Sequence, residues 1–453
     1  MKNILILFIF LLSINSLQAQ KITGDWYGSL NVQGTELPLV FHLQKNDSSY
    51  SATMDSPTQG GYNIKVDQTQ YDNSIVEMEI EAAMVKYKGN YDKKTQKING
   101  TFTQRGMSFP LNLNREKKTT EVNRPQEPKK PFPYNSQDIS FYNDVDKIKL
   151  AGTLTTPKNK KNFPTVILIT GSGPQNRNEE AMNHKPFLVI SDYLTRNGIA
   201  VLRYDDRGVG ESEGDYSTAN SKDLSRDTEA AIKFLKSRKE INKNKIGLIG
   251  HSEGGLIAPM IATNSEDVSF LVLLAGPGLK GEELLLLQKK LTEQKSGINE
   301  LAVNKSHEIF KGAYDIISDF RGNDDELRNM LKKYFNQKFN NAIGKSQLNS
   351  LIQQMTSPWM KYFIKYDPSS VLEKIDVPVL ALFGKNDLQV PAIENSKVFE
   401  EVDNKNIQIL LLDNLNHLFQ ESKTGLPNEY PHIEETISPK VLNIVSKWIT
   451  EHN

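Results

Sequence analysis

A serine between glycines lies near the middle of this 453-residue chain, in the segment Gly250–Gly255 with the sequence GHSEGG. The segment directly follows the apolar run Ile246–Ile249, and a second apolar stretch begins at Leu256. When a strand, a G-x-S-x-G motif and a helix come in that order, the serine is forced onto a sharp turn and its hydroxyl is held above a parallel sheet. The pattern therefore predicts Ser252 as a nucleophile. The alternative is that Ser252 merely caps the helix that follows it.

A serine hydroxyl attacks a carbonyl only when a base removes its proton and an acid orients that base. Of the seven histidines, His417 lies just past the last predicted strand, in the loop DNLNHLF, and is the predicted base. Asp387 follows the predicted strand Val379–Phe383 and is the predicted acid. Asp413 is the rival acid, but we expect it only to end its strand. The three groups then come in the chain order Ser, acid, His.

An oxyanion that forms during such an attack needs two backbone N–H donors. We predict that the amides of Glu253 and Ser172 supply them, because Ser172 lies in the glycine-rich loop Gly171–Pro174. No Lys-Ser or Lys-Thr pair opens a helix after this loop, so the sequence does not predict a phosphate site there. The charged segment Arg203–Gly210 (RYDDRGVG) predicts an ion-paired turn that braces the site.

The elements that must position these groups follow a change of pattern along the chain. After an N-terminal segment of residues 1–19, residues 20–116 read as short alternating strands with turns, which predicts a small β-rich domain. Residues 117–134 are rich in Lys, Glu and Pro, and predict an exposed linker. From 135 to 453 apolar strands alternate with helices, which predicts an α/β domain with a doubly wound, mostly parallel sheet.

Between about 279 and 374 the predicted strands stop. Three segments have helical periodicity there, namely Glu282–Lys295, His307–Phe320 and Asp325–Phe339. A helical insertion near the carboxyl ends of sheet strands predicts a cap over the ligand site. The sequence leaves open whether this cap moves or is only a packing subdomain.

The overall composition narrows the possible partners. Lys+Arg and Asp+Glu both total 55, so the formal net charge is zero and no basic stripe favours nucleic acid as a partner. The chain has no cysteine, which excludes disulfides. We find no motif for a metal or a cofactor, and we predict neither.

The N-terminus is typical of a secretory signal. Lys2 precedes the apolar run Ile4–Leu12, and Ala19 provides a small residue at a cleavage site. We expect cleavage after Ala19 and a mature protein that is periplasmic or secreted. The apolar run is too short to span a bilayer comfortably, and we expect no transmembrane segment in the mature protein. A retained N-terminal anchor is the alternative.

Three segments together resemble the α/β-hydrolase superfamily over roughly residues 138–453. They are Thr170–Gln175, Arg203–Gly208 and Gly250–Gly255. They are especially similar to bacterial carboxylesterases related to dienelactone hydrolases, some of which have an N-terminal β-rich extension. The chain has Thr170-Gly171 where many lipases have His-Gly, and this departure argues against a lipase.

The resemblance implies Ser252, Asp387 and His417 as a catalytic triad that acts on esters of small or medium acyl groups. We therefore predict a secreted serine esterase that works through an acyl-enzyme. One alternative is a peptidase, for which Glu282, Glu283 or Lys361 of the cap could bind a substrate terminus. A second is a binding protein that has kept the fold without the reaction. The oligomeric state is left open.

Overall fold

The computed structural model divides the chain into two compact units. One consists of Met1–Asp55 with Tyr62–Lys118, and the other of Ser56–Gly61 with Thr119–Asn453. The predicted signal peptide and the start of the predicted linker lie outside the described residues. The residues described are 22–32, 35–47, 49–56, 61–81, 83–104, 107–116, 123–158, 162–340 and 343–452.

The first unit is an antiparallel half-barrel, built from strands whose side chains alternate between buried and exposed positions. Strand β7, with the sequence VKYKGNYD, alternates along its full length, as expected for a sheet with one buried face. Neighbouring strands run in the order β4-β3-β2-β1-β9-β8-β7-β6-β5. The strands are β1 (Gly24–Val32), β2 (Thr35–Asn46), β3 (Ser49–Ser56), β4 (Gly61–Lys65), β5 (Gln68–Asp72), β6 (Ile75–Ile80), β7 (Val85–Asp92), β8 (Lys97–Gln104) and β9 (Met107–Asn114).

The second unit contains a sheet in the order β10-β11-β13-β12-β14-β15-β16-β17. Its first strands pair antiparallel, and every pair from β13 onwards is parallel. The central strands are buried at every position, because helices cover both faces of the sheet. This confirms the predicted doubly wound, mostly parallel sheet. The strands are β10 (Asn135–Asn143), β11 (Ile148–Thr156), β12 (Thr165–Ile169), β13 (Ala200–Tyr204), β14 (Ile246–His251), β15 (Phe270–Leu274), β16 (Val379–Gly384) and β17 (Ile407–Leu412).

Five helices accompany this sheet. They are α1 (Pro186–Arg196), α2 (Ser221–Ser237), α3 (Gly254–Ala262), α10 (Ala392–Glu401) and α11 (Pro439–Glu451).

The predicted helical cap is inserted between β15 and β16. It has its own hydrophobic cluster, whose fully buried members include Ala313, Leu331 and Phe335. One helix starts earlier than its periodicity predicts, because the side chain of Asn299 caps it by accepting a hydrogen bond from the amide of Ala302 (3.0 Å). The helices of the cap are α4 (Gly281–Lys295), α5 (Glu300–Asp319), α6 (Asp324–Lys338), α7 (Lys345–Met355), α8 (Pro358–Lys365) and α9 (Ser369–Leu372).

The charged segment after β13 forms the predicted ion-paired turn. Arg207 donates from Nε to Asp227 (2.7 Å), and its Nη2 contacts Asp146 (2.9 Å). The neighbouring Asp205 pairs with Arg177 at 2.6 Å. Because the Arg207–Asp227 pair is buried, each charge depends on the other for its stabilisation.

Replacing Arg207 by Met should lower the free energy of unfolding by about 3–5 kcal/mol, because it leaves the buried Asp227 without its cation. Urea unfolding, followed by fluorescence, measures this loss. The exposed pair Arg328–Asp325 provides the control, since Arg328→Met should cost less than about 1 kcal/mol. Equal effects of the two substitutions would contradict the proposed brace.

Candidate active site

Ser252 lies on a sharp turn between β14 and α3. Its backbone has a φ of 52°, in the left-handed region that residues other than glycine seldom adopt. Two hydrogen bonds hold the turn: the Ser252 amide donates to the carbonyl of Leu274 (2.9 Å), and the Gly255 amide donates to the carbonyl of Ser252 (2.8 Å). Such strain persists only where the surroundings enforce it, and it is common at functional sites.

The glycines around Ser252 are required by close backbone packing. A Cβ on Gly250 would overlap the carbonyl of Gly254, and a Cβ on Gly254 would overlap the carbonyl oxygen of Ile169 at the end of β12. The glycines thus allow α3 to begin after only two residues beyond the end of β14 and to pack directly against the end of β12.

His417 and Asp387 lie together in the loops after β17 and β16. The His417 Nδ1 is 2.7 Å from the Asp387 Oδ2, and both side chains are buried. The other oxygen of Asp387 accepts hydrogen bonds from the amides of Gln389 (2.7 Å) and Val390 (2.9 Å), which fix the carboxylate. The rival Asp413 instead pairs with Lys385 at 2.7 Å.

The ring of His417 lies beside the strand that precedes Ser252. Its centroid is 4.7 Å from that of His251, the residue just before the serine. Among the hydrogen bonds of the described residues, none joins the Ser252 Oγ to His417. The structure therefore brings the predicted acid and base together beside β14, the strand that precedes the predicted nucleophile and is called the nucleophile strand below, without a serine–histidine hydrogen bond among the described residues.

The two predicted oxyanion donors follow the adjacent strands β12 and β14. Within the described part of the chain, neither the Ser172 amide nor the Glu253 amide donates a hydrogen bond to protein. The flanking amides are occupied: Gly171 donates to the Glu179 Oε1 (2.8 Å), and Gly173 donates to the Tyr216 hydroxyl (2.9 Å). The loop is thus fixed on both sides of an amide that is left available for a ligand.

The Glu253 side chain joins the Ser252 turn to the cap, which sequence analysis did not predict. Its carboxylate accepts hydrogen bonds from the Ser221 hydroxyl (2.6 Å) and from the Trp359 indole Nε1 (2.8 Å) of α8. Burial raises the pKa of this carboxyl group. No local pattern in the sequence indicates a contact between residues so distant in the chain.

Asp206, in the charged turn, also holds the loop Gly171–Pro174, called the oxyanion loop after its predicted role. Its carboxylate accepts hydrogen bonds from the Thr170 hydroxyl (2.8 Å) and the Gln175 amide (2.9 Å). Burial raises the pKa of Asp206 well above its usual value. The turn predicted to brace the site therefore contacts the loop that carries Ser172.

Within the described ranges, no group of three or more His, Asp or Glu side chains is arranged to hold a metal ion. The absence of a metal and of a cofactor stays a prediction. The same residues include no helix that is long and apolar enough to cross a membrane.

A family model described as Hydrolase_4, serine aminopeptidase, S33, matches residues 185–423. The match covers more than half of the chain and includes Ser252, Asp387 and His417. The chain belongs to this S33 family.

Two relatives of this S33 chain have names that indicate acyl chemistry. The esterase EstD of Thermotoga maritima is 27% identical over 313 residues, which are 68% of this chain and 67% of EstD. An acyl transferase of Photobacterium leiognathi is 34% identical over 123 residues, which are 27% of this chain and 36% of the transferase. The S33 chain is thus a hydrolase with an esterase relative. The narrower similarity to dienelactone hydrolases stays a prediction.

Solved structures with lower similarity include an α/β-hydrolase and an esterase. GrgF from a Penicillium species has a TM-score of 0.44 and 16% identity, over 70% of this chain and 99% of GrgF. The Pyrococcus furiosus esterase Pf2001 has a TM-score of 0.42 and 17% identity, over 70% of this chain and 93% of that esterase.

Replacing Gly254 by Ala should lower kcat by about 100-fold, since the added methyl group overlaps the Ile169 carbonyl and displaces the Ser252 turn. Ester hydrolysis and the melting temperature should be measured together. Gly344→Ala in the cap is the matched control, because a Cβ there meets its nearest atom at 3.4 Å. Unchanged kcat in Gly254→Ala would contradict the close packing described here.

Proposed function

We propose that the protein is a secreted serine esterase that cleaves esters of small or medium acyl groups through an acyl-enzyme. The observation that carries the proposal is the buried Asp387–His417 pair, which lies beside the nucleophile strand at the carboxyl ends of the parallel strands. The strained turn at Ser252 presents a hydroxyl at the same edge of the sheet. The family match and the esterase relative support ester hydrolysis.

The hydrogen bond from His417 to Asp387 determines the direction of proton transfer. With Nδ1–H donating to the carboxylate, the lone pair on Nε2 is free to accept a proton. In the proposed first step, Ser252 Oγ bonds to the ester carbonyl carbon while its proton passes to His417. The carbonyl oxygen becomes an oxyanion, which the amides of Ser172 and Glu253 stabilise.

Collapse of this intermediate breaks the bond to the alcohol, and His417 gives the alcohol its proton. The acyl group then remains on Ser252. A water molecule next loses a proton to His417 and attacks the acyl-enzyme. Ser252 leaves with that proton, and the carboxylic acid is released.

An aminopeptidase is the second candidate, because the family description names one. Such an enzyme needs an unpaired charge to bind a substrate terminus. Two of the cap residues predicted for that role instead contact other residues of the cap. Lys361 pairs with Asp324 at 2.6 Å, and Glu282 accepts a hydrogen bond from Ser318 (3.0 Å). Glu283 is exposed. These contacts favour the esterase.

Replacing Ser252 by Ala should lower kcat for short p-nitrophenyl esters by about 10⁴-fold or more, because no other group forms the acyl-enzyme. The exposed Ser237→Ala, at the end of α2, should leave kcat unchanged. Aminoacyl anilides in the same assay separate the two candidates: faster turnover of the anilides would favour the aminopeptidase. Ester turnover that survives in Ser252→Ala would refute the proposed nucleophile.

On the N-terminal pattern, we propose that the protein is secreted and that residues 1–19 are removed. Expression in a bacterium with a secretion pathway, followed by N-terminal sequencing, should give Gln20 as the first residue of the periplasmic or secreted protein. Recovery of the intact N-terminus in the membrane fraction would instead support a retained anchor.

A further inference from the structure

Glu179 is a buried carboxylate with an unusual backbone, in the loop after β12. Its φ is 50°, and only 3% of the residue is exposed. One of its oxygens, Oε2, is buried without a hydrogen-bond partner among the described residues. Both features cost free energy, and the fold retains them where other contacts compensate.

The second oxygen of Glu179 provides that compensation, because it contacts two different loops. Oε1 accepts a hydrogen bond from the Gly171 amide (2.8 Å), which precedes the proposed oxyanion donor Ser172. It also lies 2.9 Å from the His251 Nδ1, at the end of the strand that leads to Ser252. A single carboxylate oxygen therefore connects the oxyanion loop to the nucleophile strand.

His251 extends this connection to the loop of the proposed base. Its Nε2 is 2.9 Å from the backbone carbonyl oxygen of His417, and the two rings lie 4.7 Å apart. Each ring nitrogen of His251 thus faces an oxygen that accepts hydrogen bonds. A neutral imidazole has only one N–H, whereas the imidazolium has two and satisfies both acceptors.

We propose that Glu179 is a positioning residue that holds His251 as a buried imidazolium, and that this pair fixes the oxyanion loop and His417 for catalysis. The proposal rests on the proposed serine esterase function. Neither residue touches the reacting atoms in this scheme. Both act through the groups that do, by fixing the backbone of His417 and by placing a positive charge beside its ring.

The charges around His251 are consistent with the imidazolium. Burial lowers the pKa of the His251 ring, but the charge and hydrogen bond of Glu179, the His417 carbonyl and the charge of Asp387 together raise it above its usual value. His417 lies 2.7 Å from Asp387, and its ring centroid is 4.7 Å from that of His251. The Tyr430 hydroxyl accepts from the His417 amide (3.3 Å).

A neighbouring imidazolium has a definite consequence for the pH profile. It opposes the gain of a second positive charge in the active site. Substitutions that remove the charge of His251 lift this repulsion. The acid limb of the profile of kcat/KM, which reports the base of the free enzyme, should therefore move to higher pH.

The experiment compares Glu179→Gln and His251→Gln with Glu180→Gln as control. Glu180 is the adjacent carboxylate and accepts a hydrogen bond from the Asn176 side chain (3.3 Å), whereas the Gly171 amide and the His251 Nδ1 contact Glu179. In both test variants kcat should fall by about 10-fold or more with KM within about 2-fold, and the acid limb should rise by about 0.5 to 1 pH unit. Glu180→Gln should match the wild type.

Nitrogen-15 NMR of the wild-type enzyme with labelled histidine tests the charge without any substitution. At pH 7 the His251 ring should have both nitrogens protonated, and this signal should disappear in His251→Gln, whereas the signal of His42, whose ring lies between Asp25 and Asp55, should remain. A neutral His251 in the wild type would overturn the proposal. So would an unmoved acid limb in both test variants, since a purely structural role lowers activity at all pH values without shifting the limb.

The outcome is separable from that of the proposed function. If the wild-type enzyme hydrolyses esters and Ser252→Ala does not, the proposed esterase function stands, whatever the Glu179 variants do. Wild-type-like kinetics in Glu179→Gln of that same active enzyme would then reject only the positioning role.

Discussion

The left-handed backbone at Ser252 is the constraint on which the rest of the site depends. A serine with a φ of 52° is held there because the strand before it and the helix after it pack too closely for side chains at the flanking glycines. That turn exposes the hydroxyl and leaves the Glu253 amide at the start of α3. The turn at Ser252 therefore determines where the proposed nucleophile and one proposed oxyanion donor lie, and Glu253, the next residue, contacts Trp359 of the cap.

The strained turn is useful only if three other loops are held against it. Parallel strands bring the loops after β12, β14, β16 and β17 to one edge of the sheet, which fixes their positions approximately. Buried carboxylates then fix these loops more closely by accepting hydrogen bonds from backbone amides. Asp206 and Glu179 hold the oxyanion loop, and Asp387 holds its own loop. A buried carboxylate needs hydrogen-bond donors, and the loop amides supply them. The carboxylate therefore holds the loop in place, and the loop stabilises the buried carboxylate.

Much of this arrangement could be predicted from the sequence. Fully buried strands such as β12 and β15 are continuous apolar runs, and the G-x-S-x-G segment marks the strand-to-helix turn; these features predicted the sheet and the position of Ser252. The sequence favours Asp387 over Asp413 as the partner of His417, because a carboxylate in the loop after β16 can meet a histidine in the loop after β17, whereas Asp413 only ends its strand.

The remaining contacts could not be predicted, because they depend on how loops fold rather than on periodicity. Glu179 contacts His251 from a loop position with a left-handed backbone, and Trp359 contacts Glu253 from α8, more than 100 residues further along the chain. The early start of α5 depended on one side-chain hydrogen bond of Asn299, which helical periodicity does not report.

In the proposed reaction, Ser252 becomes covalently attached to the substrate's acyl group while the amides of Ser172 and Glu253 bind the oxyanion. A crystal structure of the mature enzyme after reaction with an alkyl phosphonate tests it most directly. We predict continuous density from the phosphorus to the Ser252 Oγ, with the phosphoryl oxygen within hydrogen-bond distance, about 3 Å, of both amides. A phosphonate bonded to any other residue, or a phosphoryl oxygen that contacts neither amide, would contradict this account.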